Sequence, residues 1–252
     1  MREKGFTLIE LLAVVAIVLV LGAVTAGAGR KAYESSSLAV SANNIRQMAA
    51  GGANYLAEHN YVFWPWCEYD FGTGDTVWWW GRETAASKAS SEGSRDFDPS
   101  TGPLGTYIPK GMRPDPSLSL GGSTFKPKFR NGYIGTGYNT LLGGGWYWNG
   151  DQARLQNFWQ LSAPSKVVVF FTSAQVNTFQ SPASAKRPMI EEFYGVDASE
   201  RTIHFRHNGK AMVSFASGNA GFLEMEESTR DKRMPKANVG RFAPVGNTAY
   251  LK

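Results

Sequence analysis

The feature that most constrains this chain is an uncharged run from Leu11 to Gly29. Eighteen or so consecutive apolar residues are enough to cross a bilayer as a helix. Arg30 and Lys31 close the run, and Arg2 and Lys4 precede it, so flanking positive charge is nearly balanced and does not set an orientation. A secretory signal peptide is one reading, with Ala26-Gly27-Ala28 as its small-residue cleavage site. Its apolar core would be too long, however, and Glu10 lies in its first turns. An unpaired carboxylate in hydrocarbon costs several kcal/mol, by order of magnitude, and the following turns offer no lysine or arginine.

The residues around Glu10 carry a resemblance. Gly5-Phe6-Thr7-Leu8-Ile9-Glu10-Leu11-Leu12 resembles the class III signal of type IV pilins and type II secretion pseudopilins. The resemblance implies that a prepilin peptidase cuts between Gly5 and Phe6 and methylates the new N-terminal Phe6. It implies that Glu10 meets the amine of a neighbouring subunit during filament assembly. A carboxylate and an amine attract far more strongly in an apolar medium than in water. The implied partners are the peptidase, other pilin or pseudopilin subunits, an inner-membrane assembly platform and membrane lipid. The implied location is a single-pass inner-membrane protein with a cytoplasmic N-terminus and an extracytoplasmic head, or a filament.

The helix is expected to continue past Lys31. Leu38, Ala42, Ile45, Ala49 and Tyr55-Leu56 approximate a helical stripe, with Met48 and Ala53 beside it. No proline occurs between Met1 and Asn60. Gly51-Gly52 weakens the run and Asn60 is a plausible stop. A helix from Phe6 to about Glu58 would be roughly 80 Å long. Gly22, Gly27 and Gly29, with nearby alanines, allow close helix approach or reflect the glycine content of membrane helices.

The remainder reads as a β-rich head. The chain has 252 residues, 28 of them glycine, 13% aromatic and 19% charged, which suits strands, tight turns and loops. The net charge of +5 is spread without a basic run, so no nucleic acid is expected as a partner. The single cysteine, Cys67, excludes an intrachain disulfide and multi-cysteine metal sites. In Phe63-Trp64-Pro65-Trp66-Cys67 it reads as an inert buried thiol. The division expected is a leader at 1–5, a membrane and assembly helix at 6–30, its continuation at 31–60 and the head at 61–252. The expected class is α+β: a long N-terminal helix packed on an antiparallel sheet, the pilin fold.

Within the head, Tyr133 to Tyr138 alternates like a strand, and residues 81 to 103 look like an exposed loop. Lys166 to Thr172 and Ala211 to Ala216 are β-branched apolar runs, expected as central strands. Arg206-His207-Asn208-Gly209 leading to Ser217-Gly218-Asn219 is similar to the C-terminal signature of a group of planctomycete and verrucomicrobial pilin-like proteins. That signature is a histidine, nine residues, then Asp-Gly. His207 and Gly218 match it, while Ser217 stands in place of the aspartate. Asn208-Gly209 and Ser217-Gly218-Asn219 are turn chemistry. His207 is expected to be structural rather than a ligand, and on one strand His204 would face away from it.

No metal and no cofactor is expected. Asp231, Glu224, Glu226 and Glu227 lack EF-hand spacing. No nucleophile, phosphate-loop or zinc-protease motif is present, and Glu191-Glu192 reads as solvated charge, so no enzyme is expected. The expected function is a structural subunit of a type IV pilus-like or type II secretion filament. The alternative is a minor pilin with a ligand-binding head. Exposed tryptophans, with Trp79 and Trp146 as candidates, would stack on sugars, or the tryptophans fill the core.

Overall fold

A computed structural model describes residues 7–108, 115–118, 124–130, 134–144, 154–197 and 199–251. These fall into two compact units, Met1–Ala39 and Val40–Lys252. Helix α1, Leu8–Glu58, runs through both. The class is α+β.

Among the described residues of the first unit, the large apolar side chains from Leu8 to Val24 are exposed. Leu8 is 79% exposed, Ile9 76% and Leu19 68%, and the pattern continues to Val24. Burying such side chains stabilises by about 1.5–3 kcal/mol each, so this surface demands an apolar surrounding.

The second unit contains the last turns of α1. Its buried face is Ser41, Asn44, Ile45, Met48, Gly51, Gly52 and Leu56. The apolar stripe read from sequence lies slightly off this face: Ala53 is exposed and Ala49 half-buried. The reason is that the contact uses small residues. A Cβ on Gly52 would sit 2.7 Å from the edge of the Trp64 ring, and one on Gly51 2.8 Å from the Tyr107 carbonyl oxygen. The glycines that weaken the helix by propensity are those that let it approach the core. Asn60 then stops the helix at φ +52, and the Tyr61 N–H donates to the Leu56 carbonyl at 2.8 Å. This is the left-handed termination that asparagine tolerates.

The strands are β1 Cys67–Tyr69, β2 Thr76–Trp78, β3 Gly81–Glu83, β4 Phe125–Lys126, β5 Thr136–Asn139, β6 Val168–Thr172, β7 Gln175–Asn177, β8 Met189–Glu191, β9 Gly195–Val196, β10 Ile203–His204, β11 Lys210–Phe215, β12 Ala220–Glu224 and β13 Val239–Gly240. The main sheet has the order β12-β11-β6-β5-β9. Its pairs are antiparallel except β5–β9, which is parallel. Strands β6 and β11 are interior, as their apolar runs predict; Tyr133 lies outside the described residues. Among the described residues there are also two three-stranded sheets, β1-β2-β3 and β4-β8-β7, and the pair β10-β13. The segment read as a loop after residue 80 holds β3 and a short helix, α2, Ala85–Lys88, capped by Thr84.

Four of the described tryptophans are buried in the core. Trp64 and Trp79 are fully buried, and Trp66 and Trp80 nearly so. Trp64 stacks on Tyr138 at 4.9 Å and on Phe170 at 5.6 Å. The Trp79 indole N–H donates to the Tyr194 carbonyl at 2.8 Å. Trp79 is therefore closed to any ligand, and Trp146 lies outside the described residues. Cys67 is half-buried, and burial pushes its thiol up to about 12.

Candidate functional site

Gly5 and Phe6 lie outside the described residues. The next residues form a reciprocal cap. The Glu10 carboxylate accepts from the Thr7 N–H at 2.8 Å and the Thr7 hydroxyl at 2.7 Å, and Thr7 Oγ1 accepts from the Glu10 N–H at 3.3 Å. Thr7-Leu8-Ile9-Glu10 is the Thr-x-x-Glu spacing of a capping box. It satisfies amide groups that the first helical turn leaves without partners. Glu10 is exposed. The sequence reading sought a basic partner for Glu10; the partner here is the start of its own helix.

The second candidate is the Arg206 to Gly218 motif. His207 and Lys210 exchange backbone hydrogen bonds at 3.1 and 3.0 Å around Asn208 and Gly209. Both of these residues have positive φ, 51° and 77°, as a tight turn entering β11 requires. At the other end Gly218, at φ 88°, turns β11 into β12, with Ser217 hydrogen-bonded to the Asn219 side chain. The predicted hairpin is present. His204 belongs to β10 and His207 to the turn, so the two do not share a strand.

Arg206 is the residue that sequence reading passed over. Its guanidinium donates to Asp115 at 2.7 Å, the Gly135 carbonyl at 2.5 Å, the Ser173 carbonyl at 3.2 Å and His204 Nδ1 at 3.1 Å. Asp115 also accepts from Ser41 on α1 at 2.5 Å. Burial alone would raise the Asp115 carboxyl, but Arg206, Ser117 and Ser41 outweigh it and hold it below the usual range. Burial, with Arg206 adding, lowers His207 to about 4 and His204 well below its ordinary value, so both imidazoles stay neutral. The cluster is an anchor for α1. Among the described residues no group of three or more His, Cys, Asp or Glu side chains is placed to hold a metal.

Glu191 and Glu192 are fully buried, which overturns their reading as solvated charge. Glu191 accepts from Lys126 at 2.7 Å, Gln175 at 2.5 Å and Asn177 at 2.7 Å. Lys126 also pairs with Glu92. Glu192 accepts from the Lys128 and Phe129 N–H groups at 2.8 and 3.2 Å. Consecutive side chains on a strand do point apart, but here both faces are covered.

A family model described as the prokaryotic N-terminal methylation motif matches residues 1–26. No curated protein and no solved structure shows significant similarity to the chain. The match coincides with the start of α1 and its exposed apolar face, and a motif of this type implies a structural subunit rather than an enzyme. The motif and the apolar helix together support a type IV pilin-like protein, a substrate of prepilin peptidase that is anchored in a membrane or held in a filament.

Proposed function

We propose that this chain is a structural subunit of a type IV pilus-like or type II secretion pseudopilus filament. The observation that carries the reading is the methylation motif at residues 1–26, leading into a helix whose apolar side chains have no cover of their own. Cleavage falls between Gly5 and Phe6. The leader stays in the cytoplasm, the segment 6–30 passes from bilayer to filament core, and the head lies outside the membrane. An inner-membrane platform and neighbouring subunits supply the apolar surface.

Glu10 has two roles in this scheme. In the free subunit it caps its own helix, accepting from the Thr7 N–H and hydroxyl. In the filament it turns to the Phe6 amine of a neighbour. That attraction is stronger in an apolar surrounding, so exchange of the cap for the ion pair favours docking.

The test is mass spectrometry of the N-terminus after expression with and without prepilin peptidase. Processing removes Arg2, Glu3 and Lys4, two bases and one acid, so the net charge falls from +5 to +4. The expected product begins at methylated Phe6 when the peptidase is present and at Met1 when it is absent. A cut near Ala28 in both cases would overturn the reading in favour of a secretory signal.

A further inference from the structure

An exposed aromatic shelf sits where α1 ends. Tyr61 is 40% exposed and Trp159 is 69% exposed, and their rings meet at 4.9 Å with 57° between planes. Phe158 contacts both, at 6.3 Å from Tyr61 and 5.2 Å from Trp159, and roots the shelf in the main core cluster.

The shelf is held rather than incidental. Tyr61 has φ +59, a conformation that a bulky side chain adopts only under constraint. The constraint is Asn157. Its side-chain amide donates to the Asn60 carbonyl at 3.1 Å, and its side-chain oxygen accepts from the Trp159 N–H at 2.9 Å. The Phe158 N–H donates to the Tyr61 carbonyl at 2.8 Å. One residue thus fixes the backbone under both rings. Asparagine or glycine would hold this turn without strain, so it is the ring at position 61 that needs explaining. Strain that the surroundings over-determine concentrates at binding sites.

The chemistry selects the ligand. The shelf is built from Asn60, Tyr61, Asn157, Phe158, Trp159 and Gln160, all uncharged. The adjacent Glu58 carboxylate accepts from the Tyr107 hydroxyl at 2.6 Å, and His59 stacks on Tyr55 at 3.7 Å. With roughly 150–250 Å² per aromatic side chain, the exposed parts of Tyr61 and Trp159 offer on the order of 250 Å². A stable protein partner covers about 800 Å² per side. Flat C–H faces stack on such rings, and the carboxamides of Asn60 and Gln160 suit neutral hydroxyls. We infer that Tyr61 and Trp159 form a binding shelf for a neutral pyranose saccharide, with Asn157 as its positioning residue.

The experiment uses the full chain in a phosphocholine detergent, because sugar-headed detergents would compete. Cellohexaose and chitohexaose are titrated while tryptophan emission and heat are recorded. Saturable binding of at least one probe is expected. Trp159→Ala should weaken it by roughly tenfold or more, a loss of about 1.4 kcal/mol. Tyr61→Gly should weaken it likewise while leaving the unfolding temperature unchanged or raised, since glycine accepts positive φ. Phe179→Ala, at an exposed aromatic elsewhere, should bind as the wild type does. The inference is overturned if neither probe saturates, or if Trp159→Ala binds undiminished. It is also overturned if Trp159→Ala lowers only the subunit recovered in filaments, which would make the shelf a contact between copies of this chain.

Discussion

Arg206 and Asp115 meet at 2.7 Å, both side chains nearly fully buried, and the same Asp115 oxygen accepts from Ser41 on α1. One ion pair therefore joins the motif turn, the segment at Asp115 and the helix. Removing one partner of a buried pair leaves an uncompensated charge and costs about 3–5 kcal/mol. Arg206→Met should destabilise the folded head by that amount. Combining it with Asp115→Asn should recover part of the loss. Denaturant unfolding of the full chain in detergent measures both; equal stability of Arg206→Met and wild type would remove the anchor role.

The cap formed by Thr7 and Glu10 separates two jobs of one carboxylate. Thr7→Ala removes the cap partner but keeps the charge, so filament incorporation should survive with a helix start weaker by about 1 kcal/mol. Glu10→Gln keeps hydrogen-bonding capacity but loses the charge, so incorporation should fall sharply while leader cleavage continues. Subunit recovered in sheared filament fractions distinguishes them. If Thr7→Ala fails to assemble and Glu10→Gln assembles normally, capping rather than charge is the function of Glu10.

Gly52→Ala opposes two effects of known size. Alanine improves helix propensity by up to about 1 kcal/mol. Its Cβ would lie 2.7 Å from the edge of the Trp64 ring, which is fully buried and packs against both Tyr138 and Phe170. Overpacking of this kind costs about 1–3 kcal/mol. The clash should win, lowering the melting temperature and perturbing the near-ultraviolet circular dichroism of the tryptophans. A more stable variant would show that the helix is free to shift from the core.

Burial pushes the Glu192 carboxyl up to about 7, against the lowering effect of Tyr194 and the Lys128 and Phe129 amides. A folded pKa raised above the unfolded value means that the fold favours the protonated acid. Stability from this group is whole below about pH 4.5 and is lost as pH rises through about 7. The loss is on the order of 3 kcal/mol by linkage. Glu192→Gln keeps an acceptor for the two amides without ionising. It should match the wild type near about pH 5 and exceed it near about pH 8. Parallel curves for the two proteins across that window would rule out a buried, ionising Glu192.

How much was legible in the sequence depended on how local the cause was. The apolar run, the Asn60 stop, the Asn208-Gly209 turn and the interior strands β6 and β11 each follow from residues close in the chain, because period and turn chemistry act over a few positions. The Thr7–Glu10 cap is as local, but went unread because Glu10 was weighed only as an unpaired charge. The partners of Glu191, the reach of Arg206 to Asp115 and the reason for Gly51-Gly52 do not. Each depends on which distant segment is brought alongside, and a carboxylate or a glycine reads the same in solvent as in a core until that neighbour is known. The tryptophans show the same divide: the sequence left open whether they line a core or a ligand surface, and the packing decided that Trp79 is sealed within while Trp159 faces outward.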